Sequence, residues 1–311
     1  MLKKLALSLA VVGAALVPLL FSAPAHAQAS RTWVSGVGDD ANPCSRTAPC
    51  KTFAGAISKT AAGGEINCLD PGGFGAVTIT KSITIDCHDV FGSVLVSGTN
   101  GINIQADNTN AKTVRLRNLN VTGITGLGIN GIRITGATTS NTVVVLEDIM
   151  VDGFSQRGIT DERSGGGKLL IVNTTVRDNG AAGIGVLPAA AVAIAASINN
   201  ARVFNSVIGL STGNGSQVMV NNSVFSGASN IGVDVETGAT AVIDNSVVSG
   251  NTTGLFITAG ATLRVSNSDV AFNGTGVNGT VASFTNSRFS VNGGAGTISP
   301  IGSTSNPTGQ Q

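Results

Sequence analysis

The chain has no tyrosine, one tryptophan and two histidines, and only 11% of its 311 residues are charged. Its 18 basic residues nearly balance its 17 acidic ones, and they form no basic run. The sequence therefore lacks the electrostatic footprint of a protein that binds nucleic acid or anionic lipid. After residue 27 it also lacks any apolar run long enough to span a bilayer. Low charge together with 42% hydrophobic residues argues against disorder for most of the chain.

Glycine is abundant, with 42 residues, and asparagine, serine, threonine and valine are frequent. Valine, isoleucine and threonine fit a pleated surface, whereas glycine and asparagine accept the backbone angles of tight turns. This composition predicts many short strands separated by turns.

The first 27 residues have the pattern of a signal peptide. Lys3 and Lys4 precede an apolar run over residues 5–21, and small residues stand at Ala25 and Ala27, where a signal peptidase needs them. A transmembrane anchor is the alternative, because the apolar run is close to the minimum length for a bilayer span. The cleavage pattern favours removal of residues 1–27 and a secreted or periplasmic protein.

Four cysteines follow this segment, namely Cys44, Cys50, Cys68 and Cys87. An even number in an exported protein indicates two disulfides, for which three pairings are possible. Cys44–Cys50 and Cys68–Cys87 are favoured, because the first closes a short loop and the second joins successive apolar strands. Zinc is the alternative, but the chain has no C-x-x-C pair and His88 is the only histidine after residue 27.

A glycine followed by an aliphatic residue recurs at the start of short apolar stretches. The intervals between these pairs shorten from 27 to 22 residues along the chain. The pairs are Gly131-Ile132, Gly158-Ile159, Gly183-Ile184, Gly209-Leu210, Gly232-Val233, Gly254-Leu255 and Gly276-Val277. Such a period is typical of solenoids, in which a short unit buries its apolar face only by stacking on its neighbours.

A second series of polar residues keeps the same period. It consists of Asn118, Asp148, Asn173, Asn222, Asn245, Asn267 and Asn286, with Asn199 or Asn200 in the remaining repeat. Asparagine tolerates left-handed backbone angles, and stacked amides can bond to one another. The series predicts a tight corner in each coil and an amide ladder along the stack.

These patterns predict an all-β fold, a single-stranded parallel β-helix over residues 28–297. Within it, residues 28–66 form an N-terminal strand, a disulfide loop and a capping helix that starts at Lys51 after Pro49. A helix over the open end of the stack covers unpaired backbone. Residues 298–311 are rich in Ser, Thr, Pro, Gly and Gln and predict a flexible polar tail.

Four N-terminal motifs carry a resemblance to a known group of proteins. They are D-D-x-N-P-C at residues 39–44, P-C-K-T-F at 49–53, I-x-C-x-x-P-G-x-F at 66–74 and T-K-S-I-T-I at 80–85. Their order resembles bacterial exported proteins of the pectin-lyase-like superfamily. The resemblance implies a right-handed parallel β-helix, and it leaves the activity open, since the superfamily includes lyases, glycoside hydrolases, esterases, epimerases and members without known activity.

One charged cluster falls on the aligned outward positions of two consecutive coils. It contains Arg133, Arg157, Asp161, Glu162 and Arg163. Carboxylates beside arginines can hold an acidic sugar or tune a carboxylate for acid–base chemistry. The alternative is a solvated patch of ion pairs before the glycine-rich loop at 164–167.

Asp234 and Glu236 form a weaker catalytic candidate, because their spacing places both on one face of a strand. Phe256 is the only aromatic among the aligned outward positions and is a candidate for stacking on a sugar ring.

Other phenylalanines, such as Phe225 and Phe272, recur where buried packing is expected. The small-residue stretch at 187–196 predicts either a bulged loop or a short helix.

The sequence thus contains no convincing catalytic site. It favours a structural scaffold that binds a glycan or an envelope component, without nucleic-acid partners, a membrane span or a bound metal. The alternative is a polysaccharide lyase or glycoside hydrolase acting on polymers that contain uronic acid, with Ca²⁺ as a cofactor only in the case of a lyase. The hydrolase signatures N-T-D, G-H-G and R-I-K of the resembling superfamily are missing.

Overall fold

The computed structural model describes residues 28–105, 112–124, 126–137, 142–190, 192–294 and 296–301. The predicted signal peptide at 1–27 lies outside these residues, as do residues 302–311 of the predicted tail. The strands up to the middle of the chain are β1 (Ala29–Val34), β2 (Thr60–Cys68), β3 (Gly72–Gly73), β4 (Val77–Ile79), β5 (Ile83–Asp86), β6 (Gly92–Val96), β7 (Ile102–Gln105), β8 (Thr113–Gly123), β9 (Ile132–Thr135), β10 (Thr142–Asp152), β11 (Ile159–Asp161), β12 (Gly167–Val172), β13 (Thr175–Arg177) and β14 (Ala182–Val186). The remaining strands are β15 (Ile194–Asn199), β16 (Arg202–Phe204), β17 (Ile208–Thr212), β18 (Ser216–Asn221), β19 (Val224–Ser226), β20 (Ile231–Val235), β21 (Thr240–Asp244), β22 (Val247–Ser249), β23 (Thr253–Ile257), β24 (Thr262–Ser266), β25 (Asp269–Ala271), β26 (Thr275–Asn278), β27 (Thr280–Ser283), β28 (Arg288–Ser290) and β29 (Thr297–Pro300).

The strands stack in parallel into three faces, which confirms the predicted parallel β-helix. Face A contains β1, β2, β5, β12, β15, β18, β21, β24, β27 and β29 with the first halves of β8 and β10. Face B contains β3, β6, β13, β16, β19, β22, β25 and β28 with the second halves of β8 and β10. Face C contains β4, β7, β9, β11, β14, β17, β20, β23 and β26.

Aliphatic side chains fill the interior in stacked rows. The row on face C places Ile102, Ile132, Ile159, Ile184, Leu210, Val233, Leu255 and Val277 in register. These side chains are at most 2% exposed. Full burial of one such side chain contributes roughly 1.5–3 kcal/mol, so the stack is stabilised by the same contact repeated from coil to coil.

The predicted asparagine corner joins faces A and B. Seven residues of the series have positive φ between 46° and 55°: Asn118, Asp148, Asn173, Asn200, Asn222, Asn245 and Asn267. Asparagine amides of the series donate to the preceding coil, as Asn200 Nδ2 does to Asn173 Oδ1 at 2.8 Å, but this ladder is exposed to solvent. Asn286 bonds to Asn267 at 2.9 Å, but the left-handed residue of that coil is Thr285.

Two buried polar ladders were not predicted. The serine ladder places each hydroxyl so that it accepts from the backbone of the coil before it, as Ser246 Oγ does from Ser223 N–H at 3.0 Å. The second ladder follows the corner between faces B and C, where Asn251 Nδ2 donates to Asn273 Oδ1 at 3.0 Å. These side chains satisfy corner backbone groups that would otherwise be buried without partners.

Replacing Asn251 with alanine is expected to lower the free energy of unfolding by about 1–3 kcal/mol. Asn251 is 3% exposed, accepts from Ala228 N–H at 2.8 Å and donates to Phe225 O at 3.2 Å, so both backbone groups lose a partner. Urea denaturation measures the change, with the exposed Asn230→Ala as the control. A loss no larger than that of the control would contradict the structural role of the ladder.

The N-terminal cap matches the prediction with a shift of two residues. Helix α1 spans Phe53–Lys59, because Thr52 is its N-cap and accepts from Gly55 N–H at 2.9 Å. The buried Phe53 ring lies 5.1 Å from that of Phe74. The helix packs against β1, β2 and β4 and so covers the first coils.

Both favoured disulfides, Cys44–Cys50 and Cys68–Cys87, are present in the structure.

Two expectations are corrected, namely the start of the polar tail and the burial of Phe272. The stack continues past residue 297, because β29 pairs with β27, so the predicted tail starts at least three residues later. Phe272 is not buried but sits in a left-handed corner with φ of 57° and is 68% exposed.

Candidate functional site

The outward positions of face C form a row in register along the stack. The row contains Asn103, Arg133, Thr160, Gly185, Ser211, Asp234, Phe256 and Asn278. This arrangement confirms the alignment predicted from the glycine-aliphatic pairs. A second outward row follows two residues later with Glu162, Leu187, Gly213, Glu236 and Thr258. Thr280 does not extend this row, because it begins β27 on face A.

Glu162 lies on the outer surface of face C between two arginines. Arg133 Nε donates to Glu162 Oε2 at 2.9 Å, and Arg157 Nη1 donates to Oε1 at 3.2 Å. The Thr160 hydroxyl also donates to Oε1 at 3.3 Å. Since the carboxylate and both guanidinium groups already pair with one another, this arrangement is a patch of surface ion pairs, which was the alternative interpretation of the cluster.

Asp161 and Arg163 do not share that surface, although the sequence analysis grouped them with Glu162. Both side chains point into the helix interior and are 0% exposed. Arg163 Nε and Nη2 donate to the two Asp161 carboxylate oxygens at 2.9 and 2.7 Å, and Nη1 donates to Thr142 O at 2.7 Å. The two residues therefore form a structural ion pair in the core.

Leu187 covers the two coils after the Glu162 patch. A Cβ atom added at Gly185 would lie 3.1 Å from one Leu187 methyl group, and one at Gly213 would lie 3.3 Å from the other. The described residues at 187–190 and 192–193 form a loop and contain no helix, which resolves the alternatives for this stretch. Thr160 and Asp234 are three coil steps apart, or about 14 Å at 4.8 Å per step, so the two charged groups do not converge.

Asp234 and Glu236 line a surface depression of about 270 Å³ on face C. Thr237, Phe256 and Thr258 complete its lining. Phe256 is the register partner of Asp234 on one side, and Ser211 is its partner on the other. The depression therefore combines two carboxyl groups with a half-buried aromatic ring, and its described lining contains no cationic side chain.

The two carboxyl groups of this depression differ in environment. Asp234 is 6% exposed, and its Oδ1 finds no hydrogen-bond partner among the described residues. Glu236 is exposed to solvent. Burial, followed by the nearby charge of Glu236, raises the pKa of Asp234 from 3.8 to about 6, against a hydrogen bond from Ser211 that lowers it. Below about pH 6 a protonated acid thus stands beside an exposed carboxylate, which is the pattern of a general acid paired with a base.

The structure also shows a cleft that the sequence analysis missed. Trp33 lies half-buried on face A between two depressions of about 610 and 770 Å³. The walls of the first depression include Arg46, His88 and Arg117, which are far apart in the sequence, so no local motif marks the cleft. The only tryptophan of the chain, at an outward position of the first strand, was the one signal available.

The described residues contain no group of three or more His, Cys, Asp or Glu side chains close enough to hold a metal ion. Within the same residues, no helix has the length and apolar character needed to cross a membrane.

No protein-family model and no curated protein sequence matches the chain. Solved structures do match. A pectate lyase, Pel9A, is similar with 15% identity and a TM-score of 0.65 over 88% of this chain and 78% of its own. An alginate lyase from Paenibacillus sp. str. FPU-7 is similar with 15% identity and a TM-score of 0.52 over 87% of this chain and 100% of its own. At these identities the likeness shows the fold, a right-handed parallel β-helix.

Proposed function

We propose that the protein is an exported glycoside hydrolase that cleaves a polysaccharide between Asp234 and Glu236. One observation carries this proposal: a buried carboxyl group with an unpartnered oxygen lies beside an exposed carboxylate in a surface depression. A buried acceptor without a partner destabilises the fold by about 1–3 kcal/mol, and such a cost is characteristic of functional sites.

The chemistry needs one acid and one base. Protonated Asp234 donates its proton to the glycosidic oxygen as the bond from that oxygen to the anomeric carbon breaks. A water molecule attacks the anomeric carbon from the opposite side, and Glu236 takes the proton that this water loses. One water is consumed, and each product ends in a hydroxyl group.

The spacing of the two acids favours inversion at the anomeric carbon. Asp234 and Glu236 are two residues apart on one side of the chain, which separates their Cα atoms by roughly 6.6 Å. We infer a similar separation of the carboxyl groups, because both side chains leave the same side of the chain. Inverting hydrolases have separations of roughly 6.5–9.5 Å, whereas retaining enzymes have roughly 5–5.5 Å.

The substrate class follows from the lining and from the fold. Phe256 offers a ring face on which a sugar can stack. Two carboxyl groups without a cation in the described lining disfavour a uronate at the cleaved unit and favour an uncharged sugar. Pectate lyase and alginate lyase, which share the fold, are named for action on polysaccharides, and this supports a polysaccharide substrate. The signal-peptide pattern and the two disulfides support a secreted or periplasmic location.

A scaffold that binds a glycan or an envelope component without cleaving it is the second candidate. It is supported by the Glu162 patch, where the charged groups on the outer face pair with one another instead of surrounding an open site. Under this alternative the protein binds polysaccharide and releases no reducing ends.

The test is an assay of reducing ends released from neutral and uronic-acid polysaccharides at pH 5–6. We expect activity in the wild type and a loss of at least 100-fold in Asp234→Asn and Glu236→Gln, the range of general acid–base catalysis. Glu162→Gln is the matched control, because Glu162 occupies the row of Glu236 three coils away. No activity on the panel, or equal losses in all three variants, would contradict the proposal.

A further inference from the structure

We propose that the cleft around Trp33 is a second glycan-binding site, specific for a neutral, hydroxyl-rich segment. It goes beyond the hydrolase assignment, because it lies on another face and several coils away along the stack. Seven coil steps separate β1 from β18, the face A strand of the coil that carries Asp234, or roughly 30–35 Å along the axis.

The backbone of Trp33 is held on both sides. Trp33 pairs with Asn67 of β2, and on the other edge its N–H donates to Cys44 O at 2.9 Å while Cys50 N–H donates to Trp33 O at 2.9 Å. The disulfide Cys44–Cys50 closes the loop that makes these bonds. The half-buried indole therefore stands on a fixed strand, which lowers the entropic cost of binding.

The two depressions of about 610 and 770 Å³ meet at Trp33, because Arg31 and Trp33 line both of them. Each volume falls within the roughly 300–1,000 Å³ of ordinary ligand clefts. A ligand lying across the indole would extend into both depressions. An extended chain of sugar units has that shape, with C–H faces for the ring and hydroxyl groups for the walls.

The charges of the first depression indicate a neutral ligand. Arg31 pairs with Glu65 at 2.9 Å, and Arg117 pairs with Asp86 and Glu147 at 3.0 Å each. A polyanion would compete with these carboxylates for the guanidinium groups. Sugar hydroxyls can instead accept from the arginines and donate to the carboxylates without separating them.

Two further side chains in the first depression are available to form hydrogen bonds with a ligand. Arg46 and His88 are exposed, and neither side chain has a hydrogen bond or an ion pair to a described residue. Arg46 lies in the disulfide loop and His88 follows Cys87, so both disulfides hold a wall of the cleft.

The fluorescence of Trp33 tests the proposal directly, because the chain contains no other tryptophan and no tyrosine. The full chain without residues 1–27 and with Asp234→Asn, which prevents hydrolysis, is titrated with cellohexaose, xylohexaose and mannohexaose, and separately with hexamers of galacturonate and mannuronate. We expect a saturable blue shift of the emission with at least one neutral hexamer and a response to the uronates at least tenfold weaker.

Calorimetry on the responding hexamer separates the cleft from the Asp234 depression. Trp33→Ala is expected to weaken binding at least tenfold, and Trp33→Phe, which keeps a ring, less than Trp33→Ala. Arg46→Ala, on an exposed loop residue, is expected to weaken binding several-fold without affecting folding, whereas Phe256→Ala leaves the Trp33 emission response in place.

Three results would overturn the inference: no emission change with any neutral hexamer, preferred binding of the uronates, or unchanged affinity in Trp33→Ala and Arg46→Ala. None of these bears on hydrolysis at Asp234, because the titrated protein is already inactive. Conversely, the absence of hydrolytic activity in the wild type would leave the fluorescence response intact.

Discussion

Replacing Asp234 with asparagine is expected to stabilise the protein at pH 7.5 while lowering the proposed hydrolytic activity at least 100-fold. Burial and the charge of Glu236 raise the pKa of Asp234 to about 6, so above this pH the folded protein holds an ionised carboxylate in a 94% buried position. The unfolded chain ionises the same group at its ordinary pKa of 3.8. The difference destabilises the fold by an amount on the order of 3 kcal/mol above pH 6.

The sign of the effect follows from proton linkage. The stabilising contribution of Asp234 is complete below pH 3.8 and is lost as the pH rises through 6. The gain from Asp234→Asn is therefore expected to be near zero at pH 3.5 and to reach up to about 3 kcal/mol at pH 7.5. Urea denaturation of both proteins at several pH values measures the difference.

Asp269→Asn is the control for this experiment, because its expected change in stability has the opposite sign. Hydrogen bonds from Arg288 lower the pKa of Asp269, so its ionised form is the stabilising one near neutral pH. Its replacement is expected to reduce stability slightly at pH 7.5. Equal stability of Asp234→Asn and the wild type across the whole range would contradict the buried, strained state of Asp234.

Replacing Arg163 with methionine is expected to lower the free energy of unfolding by about 3–5 kcal/mol. Both partners of the Arg163–Asp161 pair are 0% exposed, so the single change leaves a buried carboxylate without its cation. Thr142 O also loses the hydrogen bond from Nη1, at 2.7 Å. A loss of this size is a large fraction of the stability of a typical domain.

The double variant Asp161→Val with Arg163→Met is expected to recover most of that loss, because it removes both buried charges and leaves apolar side chains in the core. The surface change Arg133→Met is the matched control, since Arg133 pairs with Glu162 at 40% exposure and is expected to cost no more than about 1 kcal/mol. If Arg163→Met lowered the free energy of unfolding no more than Arg133→Met does, the result would contradict the stabilising role of the buried pair.

Much of the fold was predictable because each coil of a β-helix needs the same residue types at the same positions. The glycine-aliphatic pairs placed the outward residues of face C in the register that the structure shows, from Arg133 to Asn278. The asparagine series marked the left-handed corner, since few other residues accept a positive φ. The serine ladder was less evident, because a serine carries no comparable backbone preference.

The candidate site was harder to predict, because it depends on which side of the strand a charge faces and on what lies in adjacent coils. Strict alternation after Ile159 places Asp161 and Arg163 inside, but charged residues are so rarely buried that the sequence alone favoured the surface. Asp234 was recognised as an outward acid, whereas its burial arises from neighbours such as Phe256 in the next coil. Trp33 was missed because the walls of its cleft come from several segments that are far apart in the sequence.

The central claim is that Asp234 keeps its proton where an ordinary aspartate has lost it. Carbon-13 NMR of protein labelled at the aspartate carboxyl carbon, with the Asp234 signal assigned from its absence in Asp234→Asn, follows this proton directly over pH 3–8. A midpoint of about 6 is the predicted result. A midpoint at the ordinary value of 3.8 would contradict the assignment of Asp234 as the general acid.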